Sequence, residues 1–100
     1  MKLIVATCIK EYQAEVGKIF KKANISVFSS TNIVGLKTNE SGDILDSWFA
    51  KGEEEFDSVL LFSFTAIENA ELAMRLIQEF NNKNKDFPVR AFLLPVEKSI

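Results

Sequence analysis

The fold is decided by the stretch Val59-Leu60-Leu61-Phe62-Ser63-Phe64, an apolar run followed directly by Thr65-Ala66-Ile67-Glu68. A short run rich in aromatic and aliphatic residues is typical of a buried β-strand. Thr65 and Glu68 have the spacing of a capping box, which predicts a helix over residues 66–81. The apolar residues that follow have helical spacing and predict its buried face. They are Ile67, Ala70, Met74, Ile77 and Phe80.

A second strand–helix unit precedes this one. Residues 2–9 form an apolar run that predicts a buried strand. Residues 11–24 have the pattern of an amphipathic helix with Asn24 as its C-cap. Residues 26–37 and 89–96 predict two more strands, the last flanked by Pro88 and Pro95 as an edge strand tolerates. The order β-α-β-β-α-β predicts one α+β domain over residues 1–100, a ferredoxin-like sandwich. Its four-stranded antiparallel sheet carries both helices on one face.

The composition argues against several classes of function. The chain has no His and a single cysteine, Cys8, which lies inside a predicted buried strand. This excludes a Ser-His-Asp triad, and neither a Gly-rich phosphate loop nor a dinucleotide fingerprint is present. We therefore expect a non-enzymatic protein without a catalytic residue, a cofactor or a metal site. A net charge of −2 argues against nucleic-acid binding.

The cellular location also follows as an expectation. No apolar run in the chain approaches the about 20 residues that a membrane-spanning helix needs. A lone cysteine cannot form an internal disulfide, so a reducing compartment is the default. We expect a cytoplasmic protein that does not insert into membranes.

Both faces of the predicted sheet are apolar. Leu3 and Val5 alternate with Ile4, Ala6 and Cys8, and the strands at 59–64 and 91–94 repeat the pattern. Two helices cover only one face, so the other would be left in water in a monomer. The pattern therefore favours an oligomer. The alternative is that the long middle loop folds over the sheet.

The middle of the chain is strongly acidic. Residues 40–57 hold seven acidic residues against Lys51 alone, a net charge of −6, which leaves +4 for the rest. The stretch is either a solubilising loop or a recognition loop for a basic or cationic partner. Trp48 and Phe49 within it either pack on the protein itself or act as anchors for a partner. The adjacent Glu53, Glu54 and Glu55 cannot all face one ion, which favours a solvated run over a cation site.

Four segments resemble the nitrogen-regulatory PII proteins. They are Met1-Lys2-Leu3-Ile4-Val5-Ala6, Lys22-Ala23-Asn24-Ile25, Asn32-Ile33-Val34-Gly35-Leu36-Lys37 and Phe92-Leu93-Leu94-Pro95-Val96-Glu97-Lys98. The resemblance implies a trimeric signalling protein with ligand clefts between subunits and a protruding loop, the T-loop, at 38–57. The best-matched cleft positions are Gly35, Leu36, Lys37, Arg90 and Lys98. The loop would contact a target, such as a membrane transporter, through Glu40, Asp43, Asp46, Trp48, Phe49, Glu53, Glu54 and Glu55.

The chain also departs from that family. A Gly-Lys-rich loop before the last strand holds ATP phosphates in PII proteins, whereas residues 83–90 here contain Arg90 but no glycine. ATP or ADP binding of the PII kind is therefore not expected.

Two related groups compete within the resemblance. The ending Leu93-Leu94-Pro95-Val96-Glu97-Lys98-Ser99 resembles a PII-like group associated with heavy-metal efflux pumps. Trp48-Phe49-Ala50-Lys51-Gly52-Glu53 resembles the CutA divalent-cation-tolerance proteins, whose His-Pro-Tyr segment is missing here. Our hypothesis is a PII-like regulator or adaptor of a transporter or efflux pump, and the alternative is a CutA-like cation-binding protein.

Overall fold

The computed structural model describes residues 1–36 and 55–100. Within them the elements follow the predicted order β-α-β-β-α-β. They are β1 (Lys2–Ile9), a 3-10 turn (Lys10–Tyr12), α1 (Gln13–Lys22), β2 (Ser29–Leu36), β3 (Glu55–Thr65), α2 (Ile67–Lys83) and β4 (Arg90–Pro95). The predicted ferredoxin-like α+β fold is confirmed.

The four strands form one sheet in the order β2-β3-β1-β4, and all neighbouring strands are antiparallel. The two apolar strands β1 and β3 lie in the centre, and β2 and β4 form the edges. Pro95 is the last residue of the edge strand β4, where its missing N–H removes no bond from the sheet interior.

The sequence predicted Asn24 as the C-cap of α1, but the C-cap is Ala23 and Asn24 follows it. The Asn24 φ of 63° lies in the left-handed region, which asparagine tolerates better than most residues. The Asn24 N–H donates to the Lys21 carbonyl at 3.0 Å, and the Ile25 N–H donates to the Phe20 carbonyl at 2.9 Å. This pair of bonds is a Schellman motif, and it brings Ile25 into the core beside Phe20.

The predicted capping box at the start of α2 is wrong. Thr65 is still part of β3 and pairs with Lys2, so it lies one residue too early to cap a helix that begins at Ile67. Ala66 is the cap residue, and it makes no side-chain capping bond. The Thr65 hydroxyl instead accepts a weak bond from the Asn69 amide at 3.5 Å. As the first helical residue, Ile67 is 38% exposed rather than buried.

The core lies between the two helices and one face of the sheet. Alternate residues of β1 and β3 supply the sheet side, and α1 and α2 supply the other side. Its buried members include Ile4, Ala6, Cys8, Val16, Phe20, Val59, Leu61, Ala73 and Ile77. The Phe20 and Phe28 rings meet edge to face at 5.2 Å, which fixes the start of β2 against α1.

Candidate functional site

The sheet face without helices is apolar, as the sequence predicted, and we call it the open face. The pairing register places Leu3 between Phe64 and Leu94, and Val5 between Phe62 and Phe92. Across the three strands β3, β1 and β4, the apolar residues of this face are therefore side by side. They are Leu3, Val5, Phe62, Phe64, Phe92 and Leu94. Farther along the same face, Thr7 lies between Leu60 and Arg90, and Ile9 pairs with Ser58.

Two of these side chains extend well into solvent. Phe64 is 57% exposed and Leu94 is 43% exposed. The Phe62 and Phe64 rings meet edge to face at 6.4 Å, so the aromatic surface is continuous along β3. Contiguous apolar surface of this kind marks an interaction site in soluble proteins.

The predicted cleft residues lie at different places around the sheet. Gly35 and Leu36 end the edge strand β2, where they pair with Phe56 and Glu55. Arg90 begins the opposite edge strand β4, where it pairs with Thr7. Three strand spacings separate β2 from β4, about 14 Å.

The two remaining cleft residues do not join them. Lys98 follows Pro95, and Pro95 pairs with Lys2 at the far end of β1 from Arg90. Lys37 lies outside the described residues. One chain therefore does not bring the predicted cleft residues together.

Arg90 has an unusual environment. Its Nε is buried and has no hydrogen-bond partner among the described residues, and the same holds for the hydroxyl of Ser58. An unpaired buried donor is costly unless a ligand, a second chain or an ordered water satisfies it. The backbone in front of Arg90 is held firmly: the Asn81 side-chain amide donates to the Val89 carbonyl and accepts from the Val89 N–H, both at 2.8 Å.

Asn81 is a positioning residue that the sequence analysis did not identify. Its side-chain amide makes the two hydrogen bonds to Val89 that a neighbouring strand would otherwise make, one residue before β4 begins. The available signal was a polar residue with both a donor and an acceptor near the end of a helix, close before Pro88.

The predicted partner loop falls mostly outside the described residues. Glu40, Asp43, Asp46, Trp48, Phe49, Glu53 and Glu54 all lie there, and their roles stay predictions. The exception is Glu55, which is the first residue of β3 and pairs with Leu36. The strand is longer than the sequence indicated, so residues 55–57 belong to the sheet rather than to the loop.

The chemistry of the described residues is limited. Burial raises the pKa of the Cys8 thiol to about 11, which keeps it protonated near neutral pH. In residues 1–36 and 55–100 there is no group of three His, Cys, Asp or Glu side chains that could hold a metal ion. Neither helix of this part of the chain is long and apolar enough to cross a bilayer.

The comparison with solved structures found a similar fold in another protein. No protein-family profile matches the chain, and no curated protein matches its sequence. The fold is a ferredoxin-like α+β sandwich with one sheet face left uncovered by helices. A solved structure with a similar fold is a protein from Thermus thermophilus described as a PII-like signalling protein. The two share 14% sequence identity with a TM-score of 0.64, over 92% of this chain and 82% of the other.

Proposed function

We propose that this chain is a non-catalytic PII-like regulatory or adaptor protein that works as a trimer. The observation that carries the proposal is the apolar open face on a fold shared with a PII-like signalling protein. Because the helices cover only the other face of the sheet, subunit association is the natural way to remove Phe64 and Leu94 from water.

The ligand site of this protein lies between subunits. Gly35 and Leu36 from one edge strand and Arg90 from the other meet only if they come from different chains. The unpaired Nε of Arg90, together with Lys37 and Lys98, suits an anionic small molecule, since a guanidinium makes strong charge-assisted bonds to oxyanions. The absence of glycine from residues 83–90 argues against ATP and ADP as that molecule.

The target is recognised through residues 38–54, the part of the predicted loop that lies outside β3. Their acidic residues favour a basic surface on the partner, and Trp48 and Phe49 supply apolar anchors of the kind found at interface hot spots. A membrane transporter or an efflux pump is the partner that the resemblance to PII-like proteins suggests.

The second candidate is a CutA-like cation-binding protein. The net charge of −6 over residues 40–57 favours it, since carboxylates are the ligands of hard divalent cations. The two candidates differ in the sign of the ligand and in the residues that bind it.

A thermal-shift screen distinguishes them. Wild type and Arg90→Gln are compared with small carboxylates, inorganic phosphate, nucleotides and divalent cations, each added singly. The PII-like function predicts that an anion raises the melting temperature of the wild type and that Arg90→Gln reduces the shift. A shift with cations only, equal in both proteins, would instead support the CutA-like function.

A further inference from the structure

The two helices enclose a groove on the side of the domain opposite the open face, and we call it the helix groove. Its volume is about 660 Å³. Ile19 of α1 and Leu76 and Phe80 of α2 form its apolar floor. The Phe80 ring packs edge to face against the Tyr12 ring, with their centroids 5.1 Å apart, so this floor is built from packed side chains.

The rim of the helix groove is basic, although the chain as a whole has a net charge of −2. Four exposed lysines line it, against two carboxylates, which gives the rim a net charge of +2. They are Lys18, Lys21, Lys22 and Lys83, with Glu15 and Glu79. Three of the lysines lie within five consecutive residues of α1, so the positive charge is concentrated along one wall.

This position leaves the groove accessible in an assembly. The helices lie on one face of the sheet, and the exposed residues Phe64 and Leu94 lie on the other. Subunits that associate through the open face therefore keep the helix groove on the outside. It offers a second docking surface that the proposed function does not use.

We infer that the helix groove binds an acidic peptide segment of a partner protein, one in which an aromatic or aliphatic side chain is flanked by carboxylates. The apolar floor takes the side chain, as a groove between helices takes the anchors of a bound peptide. The lysines of the α1 wall pair with the carboxylates on either side of it.

The shape and charge favour a peptide over other anionic partners. A lipid surface is flat and cannot enter the groove. Its phosphate groups would lie against the carboxylates of Glu15 and Glu79 at the groove mouth and repel them. A nucleic acid would need a larger excess of positive charge than +2. A peptide can enter the concavity and place its charges along the lysine-rich wall of α1.

The test is fluorescence anisotropy with a fluorescein-labelled synthetic peptide in which a Trp-Leu pair is flanked by glutamates. Its partner probe has glutamine in place of every glutamate. The full chain is compared with Lys18→Glu/Lys22→Glu and with the matched control Lys10→Glu/Lys85→Glu. The control makes the same change in net charge at exposed lysines outside the groove. Light scattering and melting temperature verify that both variants keep the wild-type assembly and fold.

We expect the acidic peptide to bind wild type and the control alike, the groove variant to bind about tenfold more weakly, and the glutamine peptide to bind none of them. Sedimentation with vesicles of phosphatidylglycerol is run in parallel. The inference is overturned by equal loss in both variants, by no binding of the acidic peptide, or by groove-dependent binding of the vesicles alone.

Discussion

Phe64→Asp should convert the assembled protein into single chains. Phe64 lies on the open face and is 57% exposed in one chain. A phenylalanine side chain of about 200 Å² therefore leaves about 115 Å² in water. At about 25 cal/mol per Å², covering that area in an assembly contributes about 3 kcal/mol for each subunit. The variant loses this contribution and also introduces a carboxylate that the assembly would have to desolvate.

Light scattering at micromolar concentration measures the effect. Wild type should have about three times the chain mass of 11.3 kDa, and Phe64→Asp should have about one chain mass. Ile67→Asp is the matched control, because Ile67 is also exposed, at 38%, but begins α2 on the helix side of the sheet. The control should stay assembled.

The reasoning is refuted in either of two ways. A wild-type protein that scatters as one chain mass would show that the open face does not drive association. A Phe64→Asp variant that keeps the wild-type mass, with unchanged circular dichroism, would show that the subunits associate through another surface.

Four further predictions follow from the structure and the sequence. Asn81→Ala should lower the free energy of unfolding by about 2–3 kcal/mol, because it leaves the Val89 N–H and carbonyl unpaired. The control Asn82→Ala, at an exposed position, should change the free energy of unfolding little. Urea titrations of the two variants measure the difference. Cys8 should resist alkylation at neutral pH in the folded protein. Burial raises the pKa of the Cys8 thiol from 9.0 to about 11, so the folded state favours the protonated thiol. The contribution of Cys8 to the free energy of unfolding is therefore complete below pH 9 and falls by about 1.4 kcal/mol per pH unit between pH 9 and 11. Urea titrations at several pH values should show this loss in wild type and not in Cys8→Ala. Calorimetry should detect no micromolar binding of ATP, and such binding abolished by Arg90→Ala would contradict the departure from the PII family that residues 83–90 indicate.

The sequence was sufficient for the sheet and its two faces. The period-two alternation of Leu3 and Val5 with Ile4 and Ala6 predicts which side chains meet the helices and which remain on the open face, and the register confirms it. The prediction succeeds because successive side chains of a strand point to opposite faces of the sheet. One alternating pattern therefore assigns residues to both faces.

The sequence failed where local structure depends on partners distant in the chain. The start of α2 moved from residue 66 to Ile67 because Thr65 pairs with Lys2, a contact that no local motif contains. The two hydrogen bonds between the Asn81 side chain and the Val89 backbone likewise form only when α2 packs beside the start of β4.

The candidate site could be predicted only in part, for a geometric reason. A list of cleft residues does not say that Gly35 and Arg90 lie on opposite edge strands; this requires the strand order. The helix groove was also missed. Lys18 and Lys83 are far apart in sequence, and only the packing of α1 on α2 places them around one apolar floor.

The most direct test of the regulatory function is to compare proteins captured from native cytoplasm and membranes by three baits. They are the wild-type protein, a variant lacking residues 38–54, and Trp48→Ala. The account predicts that wild type captures a specific partner, that the deletion loses it, and that Trp48→Ala retains it weakly, because the acidic charge remains without its aromatic anchor. Capture of the same proteins in the same amounts by all three baits would contradict a regulatory role for this segment.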